Sequence, residues 1–337
     1  MMFMAFFMLV THPKLALKLN DFGIQVPLRD SRDERTWSEL SNKHPTLQIT
    51  PLEDFPIISA EDFCRVHRSN FVRDLFAGGS DLEKHLVQTY QLNQDEVDYR
   101  PEMAKKNLSE LFQTLLLHAS GTYLALQNCL LQKGGFSYHL GGGLHHAMSF
   151  GGRGFCLFND AVIALEKLKD LKLIESAWVI DVDAHKGDGT AELASSRSWL
   201  KTMSLHMKEG WPLDHRDADP PDAPWLMASD LDIELSSGEE GAYLERLALG
   251  LKQMRDRFKK PDVVWVVGGA DPYEDDELPS TQLMKLSLSE LLQRDLMIYH
   301  FFKDWGVSQA WGMAGGYGEK TWKVYFQFLD NIYSKNS

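Results

Sequence analysis

From Gly135 onward, short apolar runs alternate with longer stretches of helical periodicity. The runs are GFSYHL, SAWVIDVD, TMSLHM, DVVWVVGGAD and SQAWGMAGG. Each is strand-sized and is bounded by glycine or polar residues. NDAVIALEKLKDL, GAYLERLALGLKQMRDRF and LSELLQRDLMIYHFFKDW instead space their apolar residues by three and four, as a helix with one buried face requires. A closing helix is predicted from about Lys320. Strands that are apolar throughout have both faces covered, and strands alternating with helices pair in parallel. The pattern predicts an α/β fold with a central, mostly parallel sheet and helices on both faces.

The N-terminal third is less regular. MMFMAFFMLV lacks a basic leading segment and a small-residue cleavage site, and it runs into Thr11-His12-Pro13. It is too short to span a bilayer, and a buried first strand ending at a proline turn is expected rather than an export signal. The segment LSELFQTLLLHASGTYLALQNCLLQ predicts a long helix, and the polar stretch Ser80–Glu102 before it is expected to be a mobile loop at the rim. No Gly/Ser- or Pro-rich linker and no internal repeat divides the sequence, so residues 1–337 are expected to form one domain.

Composition narrows the partners. With 35 basic and 48 acidic residues the formal charge is −13, which opposes non-specific attraction to nucleic acid and to anionic membranes. Cys64, Cys129 and Cys156 are odd in number and far apart, which suggests neither a disulfide framework nor a thiolate zinc finger. A reducing, cytoplasmic location is expected.

The chemistry gathers where strands end, and in parallel sheets the loops at the carboxyl ends of neighbouring strands converge. In VIDVDAHKGDGT, Asp181, Asp183 and His185 alternate and could project together as a cation-binding comb. In HLGGGLHHAMS, the adjacent His145 and His146 suit proton transfer, and Asp181 and Asp188 could stand behind the rings to fix their tautomers. VVWVVGGAD ends in Asp271, a third ligand; two carboxylates and one imidazole can hold Zn²⁺ or Fe²⁺ with a position left open. Glu274, Asp275 and Asp276, which follow at once, read mostly as a solvated turn. AWGMAGGYG would leave Tyr317 on a tight turn, where a phenol can donate to an oxyanion. Each motif alone has a bland reading, as a polar turn or a packing residue; together they imply one pocket.

These motifs, GGGLHHA, GFCLFNDAVIA, DVDAHKGDGT, SLH, GGADP and GGYG in that order between about Gly134 and Trp322, resemble the histone deacetylase family, in the style of its bacterial and class IV-like branch. The N-terminal third resembles it only through His12-Pro13 and RVHRSNFVRDL. The resemblance implies the arginase/deacetylase fold and hydrolysis of acyl amides: acetyl or longer acyl groups removed from lysine, or from a polyamine or other small amine. A catalytically silent metal-binding module is the reading from another class. Zinc ligands would be Asp183, His185 and Asp271. His145 and His146 would transfer protons, His146 as the principal base and acid, with Asp181 and Asp188 behind them and Tyr317 polarising the carbonyl. Gly154, Phe155 and Trp211 would wall the channel for an acyl-lysine side chain. A structural potassium ion would be held by Asp181, Asp183, His185, Ser204 and Leu205, several through backbone carbonyls.

Two positions depart from the family pattern. Lys186 stands where His or Gln is usual, and strand alternation places it away from the ligand face. The acidic residue expected at the rim has only a weak counterpart in Asp98.

Overall fold

The computed structural model describes residues 7–25, 32–92 and 98–336. Among the described residues the strands are β1 (Phe7–Val10), β2 (Ile24–Gln25), β3 (Asp98–Tyr99), β4 (Phe136–His139), β5 (Ala177–Asp181), β6 (Leu200–Met207), β7 (Leu231–Leu235), β8 (Val263–Val267) and β9 (Ser308–Gly312). The α-helices are α1 (Arg32–Lys43), α2 (Ala60–Cys64), α3 (Ser69–Ala77), α4 (Gly79–Thr89), α5 (Leu111–Leu130), α6 (Asp160–Asp170), α7 (Asp188–Ala194), α8 (Tyr243–Arg257), α9 (Leu288–Trp305) and α10 (Trp322–Asn336). Seven strands form one sheet in the order β1-β4-β9-β8-β5-β6-β7, every pair parallel; β2 and β3 make a separate antiparallel pair.

The central strands divide their side chains between two cores, which is why their sequences read as unbroken apolar runs. On one face Ala177, Val179, Val263, Trp265 and Val267 pack with α5 and α6 residues such as Leu126 and Ile163. On the other, Trp178, Ile180, Val264, Val266 and Trp311 pack with Leu251 of α8, Phe302 of α9 and Phe328 of α10. Local signals set the helix ends. Asn159 caps α6 by accepting from the Val162 N–H at 3.0 Å. Ser287 and Glu290 form a reciprocal capping box on α9, and Gly306, with φ of 65°, closes it.

Two sequence expectations change. The stretch from Ser80 is not a loop at its start: α4 occupies it to Thr89, because Leu82 and Leu86, one turn apart, are buried. Residues 93–97 of that segment lie outside the described residues, and Asp98 pairs through its backbone with Gln25 of β2. At the other edge, β7 adds a strand within LDIEL, whose alternation of apolar and acidic residues is that of a half-covered edge.

The four strands that carry candidate chemistry, β4, β9, β8 and β5, are consecutive neighbours in the sheet. Four loops separated by up to about 180 residues in sequence therefore leave the sheet side by side.

Candidate active site

β5 ends at Asp181, and the residues beyond it turn instead of continuing the strand. The Asp183 N–H donates to Asp181 Oδ1 and the His185 N–H to Asp183 Oδ1, each at 3.1 Å, so each aspartate captures the amide two residues ahead. These successive turns, rather than a straight comb, send Asp181 toward the histidines and Asp183 and His185 toward β8. There Asp271 joins them. Ligand atoms of Asp183, His185 and Asp271 lie within 4.8 Å of one another, and all three residues are buried. His185 Nδ1 is 3.2 Å from Asp183 Oδ1 and 3.1 Å from Asp271 Oδ2, while its Nε2 meets Ser280 Oγ at 3.0 Å.

Backbone amides aim the carboxylates. Asp271 Oδ1 accepts from Ala184 N–H, and Asp183 Oδ2 from Gly315 N–H, both at 2.9 Å. A Cβ on Gly315 would sit 2.6 Å from Asp271 Oδ2 and also collide with Asp183, which accounts for glycine there. Burial and the adjoining Asp183 carboxylate push the Asp271 carboxyl up to about 7. Burial works against the His185 imidazolium, yet the two carboxylates outweigh it and raise His185 to about 10. Two buried carboxylates converging with one imidazole nitrogen, its far edge fixed by Ser280, fit a divalent cation.

The histidine pair is built separately. Asp160, at the start of α6, accepts from the amides of Gly143 at 3.1 Å and Leu144 at 2.7 Å, holding the glycine turn that presents the pair. His145 Nδ1 donates to Asp181 Oδ2 and His146 Nδ1 to Asp188 Oδ1, both at 2.7 Å, and the rings lie 3.8 Å apart. Burial would depress both, but for His145 the Asp181 and Asp183 carboxylates overcome it and raise the imidazole to about 9. For His146, burial and then the charge on His145 prevail over Asp188 and lower it to about 3. Neighbouring rings thus favour opposite protonation states.

A cavity of about 60 Å³ is bordered by His145, His146, Gly154, Phe155 and Tyr317. The Trp211 ring stands 4.5 Å from His146 and 5.7 Å from His185, and Phe155 lies 6.3 Å from Tyr317. Gly154 adopts φ of 54°, and a Cβ there would strike Trp211 and His146. The Tyr317 N–H donates to Asp276 Oδ2 at 2.8 Å. Asp276 also accepts from Leu278 N–H and Thr281 Oγ1, so it organises the pocket wall instead of belonging to a solvated turn. Nothing local in the acidic run Glu274-Asp275-Asp276-Glu277 marks Asp276 out, since its contact with Tyr317 comes from another loop.

Asp181 and Ser204 are register partners on β5 and β6. Ser204 Oγ lies 2.9 Å from His206 Nδ1. Leu205 is buried on the opposite face of β6. Lys186 is buried and turned to the edge strand, where its Nζ lies 3.2 Å from Asp232 Oδ2. Sequence reasoning did not single out Asp160, Asp276, Ser280 or Arg153, the last of which contacts Asp188.

Residues 26–327 match the histone deacetylase domain, and the chain belongs to that family. The match takes in most of the N-terminal third. An uncharacterized protein of Picosynechococcus is 29% identical over 216 residues, covering 64% of this chain and 66% of that protein. Histone deacetylase 2 of Arabidopsis thaliana is 26% identical over 213 residues, covering 63% of this chain and 51% of the plant protein. The chain thus matches about half to two thirds of the length of these relatives. The crystal structure of an acetylpolyamine aminohydrolase from Burkholderia pseudomallei superposes with a TM-score of 0.68 at 18% identity, covering 96% of this chain and 98% of that one; it shares the fold. No helix among the described residues is long and apolar enough to cross a membrane.

Proposed function

We propose that this protein is a metal-dependent amidohydrolase that removes acetyl or longer acyl groups from lysine side chains. The observation that carries the reading is the juxtaposition of the buried Asp183-His185-Asp271 group with two carboxylate-backed histidines: His145 Nε2 lies 3.8 Å from Asp183 Oδ1, and the His146 and His185 ring centres are 6.0 Å apart. Asp183, His185 and Asp271 would hold Zn²⁺ or Fe²⁺. Such a cation would supply a Lewis acid able to polarise an amide carbonyl and lower the pKa of water. His146, neutral and fixed through Nδ1 by Asp188, takes the proton of the attacking water at its free Nε2. His145, held through Nδ1 by Asp181, supports return of a proton to the leaving amine. Tyr317 donates to the carbonyl oxygen as negative charge builds there. Gly154, Phe155 and Trp211 enclose the aliphatic stem and exclude water; Asp98 is the proposed rim contact. Asp181, Asp183, His185, Ser204 and Leu205 would hold a potassium ion beneath the loop, and the pairing of Asp181 with Ser204 across β5 and β6 supports it.

An acylated polyamine is the second reading. Asp214, Asp217 and Asp222 are exposed on the loop that follows Trp211, a setting that favours a polycationic substrate. A panel of acyl-lysine peptides and acetylated polyamines, assayed with and without a chelator, separates the readings. Chelator-sensitive turnover of the peptides supports the first, turnover of polyamines alone the second, and hydrolysis of neither leaves the silent module.

A further inference from the structure

Asp188 is fully buried, yet the bonds made by its two oxygens differ sharply. Oδ1 accepts from His146 Nδ1 at 2.7 Å and from Gly189 N–H at 2.9 Å. Oδ2 receives no hydrogen bond; what faces it is the Arg153 guanidinium, with Nη1 at 3.1 Å. Arg153 in turn sits between two indoles, its guanidinium carbon 5.1 Å from the Trp211 ring centre and 5.2 Å from that of Trp225. Trp225 is fixed by its Nε1, which donates to Asp219 Oδ2 at 2.7 Å. The backbone of Arg153 is pinned as well, because its N–H donates to Cys156 O at 3.0 Å and its carbonyl accepts from Cys156 N–H at 2.9 Å, around the Gly154-Phe155 wall.

We propose that Arg153 is a positioning residue for proton transfer, holding Asp188 so that Asp188 holds His146, and that Trp211 and Trp225 fix Arg153 in turn. The proposal rests on the role given to His146 above. An ionised carboxylate without water needs a counter-charge for the oxygen that its hydrogen bonds leave over, and a guanidinium stacked on aromatic faces keeps its charge and its direction. Without it, Asp188 would be free to rotate, and the bond to His146 Nδ1 would weaken. The loop carrying Trp225 is thereby linked to the catalytic pair: a change at the mouth reaches His146 through three named contacts.

The test uses the full-length, metal-loaded protein and the variants Arg153→Gln, Arg153→Lys, Asp188→Asn and the double variant Arg153→Gln/Asp188→Asn. On an acetyl-lysine peptide, Arg153→Gln is expected to lower kcat about ten-fold or more while KM changes by less than about three-fold, and Arg153→Lys to recover much of the loss. In the Asp188→Asn background the same change should add less than about two-fold, since an effect that passes through Asp188 has nothing left to act on. A readout independent of turnover is the downfield proton on His146 Nδ1, identified by its loss in His146→Ala. Arg153→Gln should shift or broaden it and leave the His145 signal in place. Trp225→Leu, which spares both charged groups, should move the same resonance less and lower kcat less, and it serves if Arg153→Gln fails to fold. Wild-type kcat together with an unmoved His146 resonance overturns the proposal, as do losses from Arg153→Gln and Asp188→Asn that multiply. If the native protein hydrolyses no acyl substrate, the proposed activity fails and the resonance alone decides on Arg153.

Discussion

His67 and His118 are as deeply buried as His145 and His146, and the difference lies in what stands behind each ring. His67 has Nδ1 on Met148 O at 2.9 Å and Nε2 accepting from Asn159 N–H at 3.1 Å. His118 has Nε2 on Leu15 O at 2.8 Å and Nδ1 accepting from Gly142 N–H at 2.9 Å. Both of those rings spend both nitrogens on backbone groups and act as staples between segments distant in sequence. Burial brings each down to about 4, so they remain neutral. In the His145-His146 pair each ring gives one nitrogen to a carboxylate and borders the cavity. Burial alone therefore does not confer chemistry; the partner does.

Breaking the metal group should have the largest effect. Asp271→Ala and Asp183→Ala are expected to lose both bound metal and turnover, read by metal analysis and by acetate release. Full metal occupancy in either would remove that residue from the ligand set. His146→Ala comes next: it should retain metal while kcat falls on the order of 10²-fold to 10⁴-fold. Loss of the ion from His146→Ala, with activity regained in excess metal, would erase the division between ligand and proton-transfer residues.

Tyr317→Phe removes one donor and keeps the ring. A fall in kcat of about 10²-fold to 10³-fold, with metal and hydroxamate binding retained, is expected. Near-native turnover would return Tyr317 to a packing role and revive the silent-module reading.

The smallest effect is on the staple side. His67→Ala leaves Asn159 N–H without its acceptor and Met148 O with only the Gly151 N–H, and it should cost about 1–3 kcal/mol in denaturant unfolding while kcat per folded molecule stays unchanged. The pH dependence has a definite sign. With a native value of about 4 against an ordinary value of 6.5, His67 binds a proton more readily in the unfolded chain, so its contribution is complete above about pH 6.5 and is lost as pH falls toward 4. Within that window the slope is at most about 1.4 kcal/mol per pH unit for each such histidine. His67→Ala should flatten it by one histidine's share, and an unchanged slope would contradict the neutral-staple assignment.

The central strands and the residues at their ends were legible because period, length and local chemistry agree there: VVWVV closed by GGAD carries strand, turn and carboxylate within nine residues. Where the signals separate, reading failed. α4 lies in a polar stretch whose helical face rests mainly on Leu82 and Leu86, too sparse a stripe to stand out before the neighbouring core is known. LDIEL is short and carries two acidic residues in five, as suits a strand paired on one side only. The alternation Asp-x-Asp-x-His suggested a straight comb, but side-chain capture of backbone amides bends it and divides its aspartates between two tasks. Asp276, Ser280 and Arg153 acquire their roles only through contacts with other loops, with Tyr317, His185 and Asp188 respectively, and no local pattern announces these.

The central claim is that one buried cation group and one histidine pair act together on an acyl amide. The most direct test is acetate release from an acetyl-lysine peptide by the native protein, measured before chelation, after removal of the metal, and after return of Zn²⁺ or Fe²⁺. The account predicts turnover that disappears with the metal and returns with it. Turnover that persists in metal-free protein, or none in fully loaded protein across acyl-lysine peptides and acetylated polyamines alike, would contradict it.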